Sequence, residues 1–142
     1  MIYLDSSALM KLIRSEDETV ALRIWLDLRP EEPVVSSELG RVEVLRAARR
    51  VGDQVLGDQV LAEARAVVGD LDLVPLDRAV QDVACDIGAP VLRTLDALHL
   101  ASALLLGGTL TEFVTYDRRL ADAARAAGLV VATPGQHQPT SI

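Results

Sequence analysis

Four carboxylates stand where an acid is either useful or costly. Asp5 follows the apolar run Ile2-Tyr3-Leu4 and precedes the hydroxyl pair Ser6-Ser7. Asp117 directly follows Glu112-Phe113-Val114-Thr115-Tyr116. Each reads as an acid at the C-terminal end of a short buried strand, and each also suits a helix N-cap. Glu43 lies inside a helical stretch, with Leu39 four residues before it and Ala47 four after. It therefore shares an apolar face, where a lone carboxylate is costly; an ion pair with Arg46 is the plainer reading. Asp96 falls in the first turn of Thr94-Leu95-Asp96-Ala97-Leu98-His99, where a helix dipole favours an acid.

Brought to one sheet edge, these acids repel one another unless a cation neutralises them. An all-oxygen set without a Cys or His cluster suits a hard ion, Mg²⁺ or Mn²⁺. Such an ion serves phosphoryl chemistry by activating water, aligning the phosphate and stabilising the leaving oxygen. His99 lies one turn beyond Asp96, and its simpler reading is a hydrogen-bonded packing residue. His137 sits in a polar tail and reads as solvated.

The elements that must carry these acids alternate. Strands are expected at 2–4, 34–35, 71–76, 112–116 and 129–131. Helices are expected over 6–14, 15–28, 38–50, 53–68, 78–87, 95–106 and 118–127. Ser15-Glu16-Asp17-Glu18 reads as the polar start of the second helix, and Thr94 as the cap of the sixth. Pro30 and Pro33, Gly52, Gly69, Gly88 with Pro90, Gly107-Gly108 and Gly128 punctuate the chain. The alternation predicts a three-layer α/β/α sandwich around a mainly parallel sheet of four to five strands. Ligands of such sheets bind at the carboxyl ends of the strands. One domain over residues 1–133 is expected, with a polar tail over 134–142 that frays.

Composition bounds the function. The net charge of −7 argues against a protein coated for non-specific nucleic-acid binding. It leaves room for a nuclease with acids in one cleft and arginines around it. Lys11 is the only lysine, so the remaining basic side chains are arginine forks that match phosphate geometry. Only 3% of residues are aromatic, so the core must be built from Leu, Val, Ala and Ile. No apolar run approaches the ~18 residues of a membrane span. The chain begins directly on a strand with no charged leader, and Cys85 has no internal partner. A cytoplasmic protein is therefore expected.

The helix over 20–28 carries two apolar stripes. Val20, Ala21, Ile24 and Leu28 form one, at a spacing that faces a core. Leu22, Trp25 and Leu26 form the other, which is left for a partner surface to cover.

The chain resembles the PIN-domain ribonucleases, and among them the VapC-type toxins of bacterial toxin–antitoxin pairs. Four runs carry the resemblance in order over nearly the whole chain. They are Tyr3-Leu4-Asp5-Ser6-Ser7-Ala8-Leu9, Val35-Ser36-Ser37 through Arg41-Val42-Glu43-Val44, Leu95-Asp96-Ala97-Leu98-His99-Leu100-Ala101-Ser102-Ala103, and Phe113-Val114-Thr115-Tyr116-Asp117-Arg118-Arg119-Leu120. The resemblance implies Mg²⁺- or Mn²⁺-dependent cleavage of RNA, a homodimer, and inhibition by a cognate VapB-type antitoxin. It carries Asp5 and Asp96 over as holders of the principal metal. Glu43 would bind that metal or its water, and Asp117 a second metal or the attacking water. Ser6, Ser7 and Thr115 would support these carboxylates. Arg46, Arg49 and Arg50 after Glu43, with Arg118 and Arg119 after Asp117, are expected along the RNA backbone. Leu22, Trp25 and Leu26 are expected to meet the antitoxin.

Three rivals remain on the sequence. A receiver-type signalling domain has the size and an acidic pocket, but needs a lysine late in the chain. A phosphohydrolase with an Asp nucleophile usually carries a second Asp two residues on, where this chain has Ser7. A PIN-like RNA- or partner-binding domain without activity would keep the fold alone.

Overall fold

The alternation of side chains along β1 (Ile2–Leu4) sets the layering. Ile2 and Leu4 enter one core, with Leu9, Leu22, Val44 and Val60. Tyr3 enters the other, with Leu100, Phe113, Leu120 and Val131. The computed structural model describes residues 1–51 and 54–137.

Around β1 run β2 (Val34–Ser37), β3 (Asp72–Val74), β4 (Glu112–Val114) and β5 (Val131–Ala132). The order across the sheet is β3-β2-β1-β4-β5, with every pairing parallel. Tyr3 pairs with Val35 on one side and Phe113 on the other. The helices are α1 (Ser6–Ile13), α2 (Thr19–Asp27), α3 (Glu38–Ala48), α4 (Gln54–Gly69), α5 (Arg78–Asp86), α6 (Thr94–Leu104) and α7 (Arg118–Ala126), with a 3₁₀ turn at Gly107–Thr109. Residues of α1 to α4 pack into the Ile2/Leu4 core, and residues of α6 and α7 into the Tyr3 core. The result is the expected three-layer sandwich. Among the described residues no helix is long and apolar enough to cross a membrane.

The strand order decides one rival. A receiver-type sheet runs 2-1-3-4-5, which this sheet does not. Here the order reverses between β1 and β4, so the crevice at their carboxyl ends is where ligands of such sheets bind. Asp5 and Asp117 follow those two strands.

Three local expectations are corrected. First, α2 starts at Thr19 rather than at Ser15, because Lys11 ties Glu16 and Glu18 into the preceding loop. Second, Arg93 and not Thr94 occupies the cap position of α6; its side chain makes no cap bond and is free to reach elsewhere. Third, the stripes of α2 are exchanged. Leu22 is fully buried, and Trp25 and Leu26 pack against the core, so Leu22 cannot meet a partner. Val20, Ile24 and Leu28 are instead 66%, 55% and 75% exposed. Thr19 sets this rotation: its hydroxyl donates to the Lys11 carbonyl at 2.7 Å and accepts from Glu16 N–H at 2.9 Å. With Thr19 turned inward, Leu22 and Leu26 follow it at i+3 and i+7. The start of the tail contacts the body of the domain. Tyr116 donates to the Pro134 carbonyl at 2.8 Å, and Gln136 donates to Glu18. The expected stop at Gly52, the helix start at Asp53 and the tail beyond His137 lie outside the described residues.

Candidate active site

Asp5 is built in by its own neighbours. It caps α1 by accepting the Ala8 N–H at 2.9 Å, the role its place after β1 suggested. Ser7 Oγ donates to the same oxygen at 2.6 Å, and Thr115 Oγ1 donates to the other at 2.5 Å. Only 2% of the residue is exposed. Burial pushes its carboxyl above the usual range, and the bonds from Ser7 and Thr115 pull only partly against it.

Thr115 and Ser7 also join the two strand ends. Thr115 Oγ1 accepts from Asp117 N–H at 3.1 Å, and Ser7 Oγ accepts from Tyr116 N–H at 2.9 Å. Asp117 caps α7 through Leu120 N–H. The hydroxyls of Ser7 and Thr115 thus brace the carboxylates. Ser6 does not share in this; it lies on the wall of a cleft with Glu43, Arg46 and Leu95.

Glu43 is held from the far side of the Tyr3 core. His99 Nε2 lies 2.6 Å from Glu43 Oε1, and His99 Nδ1 lies 2.7 Å from the Tyr3 hydroxyl. Burial, helped by the Asp5 charge, keeps the Tyr3 phenol protonated. The Glu43 carboxylate can only accept, so Nε2 carries a proton and donates to it, and in the neutral imidazole Nδ1 then accepts from the Tyr3 hydroxyl. His99 is 1% exposed and is the hydrogen-bonded packing residue its apolar helix suggested. Gly40 gives α3 room to approach: a Cβ there would stand 2.7 Å from Ser36 Oγ and 3.4 Å from the His99 ring. The ion pair that Arg46 offered Glu43 does not form; His99 has that carboxylate.

Asp96 and Asp117 share one cation. Arg93 Nε donates to Asp96 at 3.1 Å, and a terminal nitrogen of the same guanidinium donates to Asp117 at 3.2 Å. Arg93 does not stand out in the sequence. Its only signal there was the i,i+3 spacing to Asp96, which an ordinary helix-end ion pair shares. Among the described residues no three acidic, histidine or cysteine side chains are grouped closely enough to hold an ion as they stand. Arg93 occupies two of the candidate carboxylates, and His99 a third.

The arginines divide. Arg46 and Arg50 line the Glu43 cleft, whereas Arg49 does not. Arg119 borders a groove with Arg93 and Asp96, while Arg118 lies by Asp117 on the other side, against the tail.

A PIN domain is matched over residues 2–126. The chain belongs to the PIN-domain family, on its VapC branch. It is 44% identical to the ribonuclease VapC47 of Mycobacterium tuberculosis, over 95% of this chain and 98% of that protein. It is also 44% identical to the ribonuclease VapC35 of the same organism, over 96% and 98%. The fold is shared with VapBC2 from Rickettsia felis at a TM-score of 0.74, with 13% identity over 94% of this chain and 99% of that one. The four runs that suggested a VapC-type PIN domain thus lie in a VapC-type PIN domain.

Proposed function

We infer that this chain is an endoribonuclease acting as the toxin of a VapB–VapC pair, and that it cleaves RNA with a divalent ion. The observation that supports this most is the bracing of Asp5 by Ser7 and Thr115 across the ends of β1 and β4, in a chain so similar to VapC ribonucleases. The donor chemistry suits a hard ion: the groups are carboxylate oxygens, and two of them already hold a guanidinium. Asp5 and Asp96 hold the principal ion in this reading. Glu43, aimed by His99, binds it or its water, and Asp117 binds a second ion or orients the attacking water. Bound there, Mg²⁺ or Mn²⁺ supplies charge neutralisation at the phosphate and a water more easily deprotonated. Ser7 and Thr115 keep the Asp5 oxygens fixed while charge changes around them. Arg46 and Arg50 on one side and Arg118 and Arg119 on the other bind the RNA backbone.

The deciding experiment is RNA cleavage with Mg²⁺, Mn²⁺ or EDTA, by the wild type and by Asp5→Ala and Asp96→Ala. Both variants should lose at least ~100-fold in rate and keep their circular dichroism. Undiminished cleavage by folded Asp96→Ala overturns the site. For the arginines, an Arg118→Ala/Arg119→Ala double variant should bind RNA with a flatter dependence on salt. A slope equal to that of the wild type would remove that pair from the RNA path.

The partner in this reading is a cognate VapB-type antitoxin, with a homodimer as the working unit and the cytoplasm as its place. The apolar face of α2 exposed at Val20, Ile24 and Leu28 is the surface offered to the antitoxin.

A further inference from the structure

One guanidinium spans two carboxylates from different elements, Asp96 on α6 and Asp117 at the head of α7. It stands in for a cation at the place where the proposed function needs one. We propose that Arg93 is an exchangeable counter-ion of the acidic site, holding Asp96 and Asp117 until a divalent ion displaces it. This rests on the reading of those acids as metal ligands and adds a competitor built into the chain.

The geometry favours exchange over permanent clamping. The Arg93 side chain is 64% exposed, so it can leave into solvent without opening the core. Asp96 and Asp117 are only 14% and 31% exposed, so they stay put and need a cation when Arg93 goes. The Arg93 side chain makes no capping bond to α6, so its departure costs the helix only the i,i+3 pair with Asp96. A divalent ion and the guanidinium carry like charge and compete for the same two carboxylates. Metal binding that takes the oxygens Arg93 holds breaks its bonds to them, and the apparent affinity is lowered by that competition.

The test is Mn²⁺ binding to the purified full chain, stripped with EDTA and dialysed, followed by calorimetry and by loss of the free Mn²⁺ resonance. Arg93→Gln should bind Mn²⁺ roughly three- to tenfold more tightly than the wild type, the range expected when two solvent-touching ion pairs no longer compete. Arg93→Lys, which keeps the charge but cannot fork across two carboxylates, should fall between them. Unchanged or weaker binding by Arg93→Gln overturns the exchange, since it makes Arg93 a bystander or a support for the bound ion. Asp96→Asn separates the two ideas. If it binds Mn²⁺ as the wild type does, the acids are not the metal site and both readings fall. If it loses Mn²⁺ while Arg93→Gln gains nothing, only the exchange is lost.

Discussion

His99 was the residue whose setting could be read two ways, as ligand or as packing. It touches Tyr3 and Glu43 and does not reach out of the core. Its worth to the site lies in aiming one carboxylate. His99→Phe keeps the volume near and removes both bonds, so RNA cleavage should fall about 10- to 100-fold, the usual cost of losing a group that orients a metal ligand. A purely structural residue would lower the melting temperature and leave Mn²⁺ affinity alone. Measuring both, beside cleavage, distinguishes the roles, and normal cleavage by folded His99→Phe would end the assignment. Tyr3→Phe is the milder companion. It deletes the hydroxyl that fixes the imidazole tautomer and should show the same effects in smaller degree.

On the scale of elements, α2 carries the largest consequence. Both of its stripes are apolar, and the bond network of Thr19 chose between them. The face left in water is Val20, Ile24 and Leu28, spaced at i, i+4 and i+8. Trp25 lies half-buried beside it, with the Arg29 guanidinium 3.9 Å from its ring centre. If this face takes the VapB-type antitoxin, Ile24→Asp should weaken the complex by ~2 kcal/mol or more, the scale of an interface anchor. Folding should be spared, because Ile24 is exposed. Antitoxin binding should also shift Trp25 fluorescence to the blue. Full affinity in Ile24→Asp would place the antitoxin on another face.

At the scale of the whole molecule, the Lys11 ammonium of α1 gathers the turn before α2 and the ring of Tyr116, and through them the start of the tail. Lys11 is 2.9 Å from Glu16 and 2.7 Å from Glu18, and its ammonium stands 4.7 Å from the Tyr116 ring centre. Tyr116 and Glu18 in turn bind Pro134 and Gln136. Lys11→Met leaves two acids without their cation and should cost roughly 1–3 kcal/mol, between the values for exposed and buried pairs. The hydrogen bond from Lys11 holds the Glu18 carboxyl below its usual range. The folded state therefore binds fewer protons at Glu18 than the unfolded chain does. This contribution is present above the ordinary carboxylate range and is lost as pH falls through the lowered folded value. Urea denaturation of the wild type and Glu18→Gln should differ most near neutral pH and converge in acid. A gap that does not change with pH would show that the Glu18 charge contributes nothing.

The sequence by itself determined the layering, the one parallel sheet and the four acids. Short apolar runs alternating with capped helical stretches leave few other ways to bury both faces of a sheet. An acid directly after a strand is fixed at the sheet's carboxyl edge by chain connectivity alone, as Asp5 is; β4 ends at Val114, earlier than expected, and Asp117 follows it after Thr115 and Tyr116. What only the tertiary structure decided are choices between near-equal local options. The rotation of α2 depended on a threonine hydroxyl meeting the backbone of α1, a contact no stripe encodes. Glu43 could have paired with Arg46 on its own helix, yet took His99 from α6 because Gly40 lets the two helices close together. Arg93 looked like an end-of-helix charge beside Asp96. Its second carboxylate, 24 residues on, came within reach only when α7 was laid beside α6. Spacing along a chain reports neighbours on one element. Bonds between elements depend on how those elements pack, and that is where the details of this site were set.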